Sequence, residues 1–301
     1  MITPRRGANC WRISTGNDAA CGFAGFERRI FHNIIMLAIF SLRLALGMLG
    51  SLFLLSPSQM HPRFFRTHFL TVLGLSMLTS ILVWPTTFFL PTIIAVAFAF
   101  LGAIAWYFER SPLGWILIIA AGVAVFVALR QGETLLANMP VIDPHAEIAR
   151  AFGHSDWPRT PRWGRIIDDL TAAALLGFAM TAMLVGHSYL ISPGLSIRPL
   201  MLQLSAFFVA LLLRLIVAGV ALWFWTADHS LTNLNDEVVL WLPVRWLIGI
   251  VGPAFFGFLA YRTARIRSTQ SATGILYVVV ILVFLGELNA LLLQKITGLP
   301  L

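Results

Sequence analysis

The stretch ATGILYVVVILVFLGELNALLLQ, residues 272–294, decides the fold. Its one charged residue is Glu287. A spanning helix needs ~20 mostly apolar residues, because the hydrocarbon core is ~30 Å thick and a helix rises ~1.5 Å per residue. The run is long enough, and it lacks the period-two alternation of a barrel strand. It therefore reads as a transmembrane helix. Working outward, seven more stretches read the same way, roughly 34–55, 66–84, 91–108, 112–129, 169–191, 199–225 and 240–261. Proline, which removes a backbone donor and clashes with the preceding turn, separates them. Pro85 and Pro91 divide 66–108, and Ser111-Pro112, Ser192-Pro193-Gly194 and Arg198-Pro199 mark other joins.

Composition agrees. Of 301 residues, 58% are hydrophobic and 11% charged, against ~25% charged in an ordinary soluble domain. Too little polar surface is available to cover a soluble fold, so the expectation is an all-α, polytopic membrane bundle of about eight helices. The net charge is +8, and every basic residue except Lys295 is arginine. With no long basic run and no aromatic-basic interleaving, the positive balance points to the lipid bilayer as partner, not to nucleic acid; other membrane-complex subunits are a further expected partner. Cys10 and Cys21 suit neither a zinc site nor a redox pair. No P-loop, dinucleotide-binding glycine fingerprint, HExxH, GxSxG or CxxCH occurs. No catalytic residue is identified, and whether the chain is an enzyme stays open.

The chain divides into a polar tail at 1–32, expected to be unfolded, a first four-helix group at 33–129, a Pro-rich extramembrane loop at 130–168, and a second four-helix group at 169–301. Met36 offers an alternative start, which would leave the tail untranslated. Two groups of four invite a search for a repeat. Leu42-Arg43-Leu44 and Leu213-Arg214-Leu215 match, but at non-equivalent positions, so the match reads as chance. Ala95, Ala99 and Ala103, with Ala120, Ala124 and Ala128, form small-residue ladders that favour a tight hairpin. Alternating crossings place the loops at 56–65, 109–111, 192–198 and 262–271 on one face, A, and both termini on the other, B. A start at Met36 leaves face A with the densest short-loop arginine, which favours A as cytoplasmic, whereas a translated tail brings Arg28 and Arg29 to B and favours B. The expected location is the inner membrane of a bacterial cell.

Charges in a span cost ~2.5–3.5 kcal/mol each at the centre on insertion scales, so each calls for a partner or a purpose. Arg43, Arg214 and Glu287 fall at middle depth, with Asn289 close by, and form the expected intramembrane charge network. An Arg–Glu pair would lock the bundle, or the same residues would serve a proton or anion path. His68 and His187 are expected near face A at similar depth, where imidazole can ligate haem iron or hydrogen-bond a quinone. Arg198, Arg262, Arg265 and Arg267 form a basic rim on face A, suited to phosphate, carboxylate or anionic lipid. Acidic and histidine clusters at 143–156 and 228–237 lack a defined metal spacing, and no metal site is assigned. In helix number and in its polar helix end the plan is similar to the membrane-anchor subunits of bacterial quinone-linked oxidoreductases. That likeness implies a redox subunit with haem b or quinone near His68 and His187. The alternatives are a permease for a small anionic solute, with Arg43 and Arg214 binding it, and a non-catalytic assembly protein.

Overall fold

The computed structural model describes residues 18–84, 86, 89–108, 111–138, 162–191, 196–228 and 236–297. Its elements are α1 (Asp18–Leu52), α2 (Pro62–Leu82), α3 (Phe89–Tyr107), α4 (Ser111–Asn138), α5 (Arg162–Ile191), α6 (Arg198–Asp228), α7 (Asp236–Trp246), a π segment (Leu247–Val251), α8 (Gly252–Arg265) and α9 (Thr269–Thr297). Eight spans are long and apolar enough to cross a membrane, the seventh (Leu240–Arg265) being α7, the π segment and α8 in sequence. The expected all-helical, eight-span bundle is what forms.

Three boundaries differ from expectation. α1 begins at Asp18, inside the stretch expected to be unfolded. α4 continues to Asn138 and α5 starts at Arg162, so both ends of the expected 130–168 loop are helical. Charged residues at those ends lower local hydropathy and hide the helices, but the charges are paired inside the bundle. The clusters at 143–156 and 228–237 lie outside the described side chains.

The seventh span is interrupted for a local reason. Pro253 has no N–H, and its ring opposes the carbonyl four residues earlier. The i→i+5 bonding of Leu247–Val251 absorbs the misfit. Gly249 of this segment packs on Gly286 of α9, where a Cβ on either residue would collide with the other helix. The same close approach leaves room for the Arg245 guanidinium beside them.

Packing repeats between the two groups. In the first, α1 meets α2 and α4, α2 meets α3, and α3 meets α4. In the second, α5 meets α6 and α9, α6 meets α8, and α7, the π segment and α8 meet α9. The groups join where α1 packs on α5. These two helices cross in the same direction, because three crossings, an odd number, lie between them. Gly47 lies against Ala173 and Gly177 so closely that a Cβ on either glycine would enter the opposite backbone. Small residues allow this contact where lipid supplies no hydrophobic drive between helices.

Candidate functional site

Toward face B the α1–α5 seam ends in a buried charge network. Arg43 of α1 donates from Nε to Asp169 Oδ1 at 3.0 Å, and from Nη2 to Asp168 Oδ2 and Asp169 Oδ1, both at 2.8 Å. Its Nη2 also lies 3.5 Å from Glu133 Oε1 of α4. Arg130, one helical turn before Glu133, donates to Asp169 Oδ2 at 2.7 Å. Asp168 bonds in turn to Arg214 of α6. Arg214 makes a two-pronged contact with Glu287 of α9, Nε to Oε1 at 2.9 Å and Nη2 to Oε2 at 2.8 Å. Arg245 reaches Glu287 Oε1 at 3.2 Å. Four arginines thus face four carboxylates, and their formal charges cancel. Only Arg130 has substantial exposure, with 19% of its side chain accessible.

Local structure explains the reach. Side chains on a helix lean toward its N-terminus, so Arg43 meets residues of α5 lying below its own level. The guanidinium fork matches carboxylate geometry, which lysine does not, and the network contains no lysine. Arg43 and Arg214 are filled by carboxylates. An anionic solute would have to displace Asp168, Asp169 or Glu287 to bind them.

Toward face A the same seam is closed by neutral groups. Ser51 Oγ and Thr181 Oγ1 are 2.5 Å apart, and Thr181 Oγ1 lies 3.2 Å from His68 Nε2. His68 Nδ1 is 3.1 Å from the Phe64 carbonyl, which can only accept. Nδ1 therefore carries the proton, and in the neutral ring Nε2 accepts from the Thr181 hydroxyl. Gln203 of α6 donates to the Ser51 carbonyl at 2.9 Å.

Several expected site residues are placed differently. Asn289 does not join the charge network. It lies about 200° around the helix from Glu287, and its Nδ2 donates to the Trp241 carbonyl at 2.9 Å. The expected trio of Arg43, Arg214 and Glu287 is joined, but Arg43 reaches the pair only through Asp168. His68 and His187 do not share a site. Both ring nitrogens of buried His68 are engaged, leaving none for iron, while exposed His187 lies 3.4 Å from the Tyr277 hydroxyl. Arg198, Arg262, Arg265 and Arg267 are all exposed, Arg262 over the Phe258 ring. Glu133, Arg130, Asp168, Asp169 and Arg245 were missed because they sit near apparent helix ends. One signal was available. The fourth helix of each group carries a Gly-Glu step, Gly132-Glu133 in α4 and Gly286-Glu287 in α9, and both glutamates enter the network.

No family model, curated protein or solved structure matches the chain. Fold and composition define its class, a multi-pass helical membrane protein.

Proposed function

We propose that the chain is a proton-linked permease whose two four-helix groups move against each other, with the charge network as the latch on face B. The observation that carries this reading is that Arg43–Asp168, Arg43–Asp169 and Arg130–Asp169 all pass from the first group to the second. Two like-packed halves joined mainly where α1 meets α5 suit alternating access. Protons can act at the ionic end of the seam. Glu133 holds its arginine at the longest distance in the network, 3.5 Å, so a proton there removes the least pairing. A small anion is the solute class suited to an arginine-centred site, exchanging with a carboxylate on Arg43 or Arg214.

Spin labels at Phe108 and Ile266, exposed on face A in different groups, test the movement. The expected result is a two-component distance distribution whose ratio changes between about pH 8 and about pH 5.5. Glu133→Gln should populate the low-pH component at the higher pH. A single distance that ignores both changes would leave the network a static lock and favour an assembly protein.

A second reading rests on the exposed His187–Tyr277 pair. Imidazole and phenol can each hydrogen-bond a quinone carbonyl, as in a membrane subunit of a bacterial inner-membrane redox complex. Quinone that co-purifies and is lost in His187→Ala would support it. A colourless preparation with no extractable quinone would overturn it.

A further inference from the structure

A cavity of about 250 Å³ opens on face A between the start of α2 and the end of α3, lined by His61, Pro62, Arg63, Arg66, Trp106 and Tyr107. A water takes ~30 Å³ of liquid volume, so the space admits a group several times larger. Its charged lining among the described residues is cationic. Arg63 and Arg66 lie three residues apart, hence on one side of the helix, and neither meets a carboxylate among the described residues. The Arg66 guanidinium is held over the Tyr107 ring at 5.5 Å. His61 Nδ1 accepts from the Arg63 backbone N–H at 3.2 Å, which leaves Nε2 of the neutral ring as the N–H donor. Trp106 is 2% exposed and stacked on Phe65, and its indole N–H has no acceptor among the described residues. Buried donors of this kind are normally satisfied. The start of α2, a helix of 21 residues, adds its positive dipole end.

We propose that this cavity binds a phosphate group, with Arg63, Arg66, His61 and the Trp106 indole as donors to its oxygens. Two arginines in the lining disfavour cations. Guanidinium pairs match the geometry of phosphate oxygens. The site is separate from the basic rim at Arg198, Arg262, Arg265 and Arg267, and it does not depend on the transport reading. A phospholipid headgroup and a free phosphate present the same chemistry.

The test uses the full chain in two arms. In neutral detergent, inorganic phosphate and glycerol phosphate are titrated, and bound species are counted by native mass spectrometry. In phosphatidylcholine nanodiscs, phosphatidic acid is titrated in the same way. Binding in the first arm identifies a soluble phosphate, and binding confined to the second identifies a headgroup. In whichever arm binds, Arg63→Gln with Arg66→Gln should weaken binding at least ~10-fold, the effect of losing charge-assisted bonds. Trp106→Phe keeps the stacked ring and should weaken binding by a smaller factor. Arg63 is exposed and Arg66 partly so, so the double variant should keep its melting temperature. Absence of binding in both arms, or binding unchanged by both variants, would overturn the proposal.

Discussion

The two ends of the α1–α5 seam solve the same problem differently. Both hold two parallel helices at close range inside a membrane. Toward face B the join is ionic, with Asp168 and Asp169 of α5 drawing in arginines from α1, α4 and α6. Toward face A it is neutral, made of Ser51, Thr181, His68 and Gln203. Between them Gly47 and Gly177 press backbone on backbone. A buried charge that loses its partner is costly, whereas a hydroxyl that loses one forfeits a modest bond. The ionic end should therefore set whether the halves stay joined, and the neutral end how exactly they align.

The comparison can be broken at several points. Asp168→Ala takes a carboxylate from both Arg43 and Arg214 and leaves the buried network one positive charge in excess, which should cost ~3–5 kcal/mol, enough to remove most folded protein from detergent extracts by size-exclusion chromatography. Arg214→Met together with Glu287→Leu should cost less than the sum of the two changes, because the three arginines and three carboxylates left in the network still balance. A thermal-melt double-mutant cycle would show the sign of that coupling. Gly47→Leu drives a side chain into the α5 backbone and should cost about 3 kcal/mol, with a lowered melting temperature and a weakened contact between groups in disulfide cross-linking. Thr181→Val should cost only ~1–2 kcal/mol while changing the His68 ring signals in NMR. If it proved as harmful as Asp168→Ala, the two ends would be equivalent and the contrast drawn here would fail. Arg130→Gln should have the smallest effect, ~1 kcal/mol or less, since Arg130 is partly exposed and Asp169 keeps Arg43.

Much of this was legible in the residues, and the exceptions share a cause. The stretch 272–294 announced a span and its one buried acid. Arg43 and Arg214 were conspicuous because apolar neighbours surround them. Asp168 and Asp169 were not, since Arg162 and Arg165 precede them and the stretch resembles a loop end. Asn289 stands near the network by sequence proximity, but its spacing from Glu287 already turns it about 200° away on a helix, and the neighbour it meets there is Trp241. His68 and His187 looked like a pair by depth, yet their rings meet Thr181 and Tyr277.

By itself the sequence determined that the described residues hold eight stretches long and apolar enough to cross a membrane, and where they lie. Burying an apolar helix in lipid depends on local composition and length, and both are written along the chain. Only the tertiary structure decided which charges meet. The pairing of Arg43 with Asp169, or of Arg214 with Glu287, depends on which helix faces which and at what height. Those relations follow from the packing of α1 on α5 through glycines far apart in the chain, and no local run of residues encodes them.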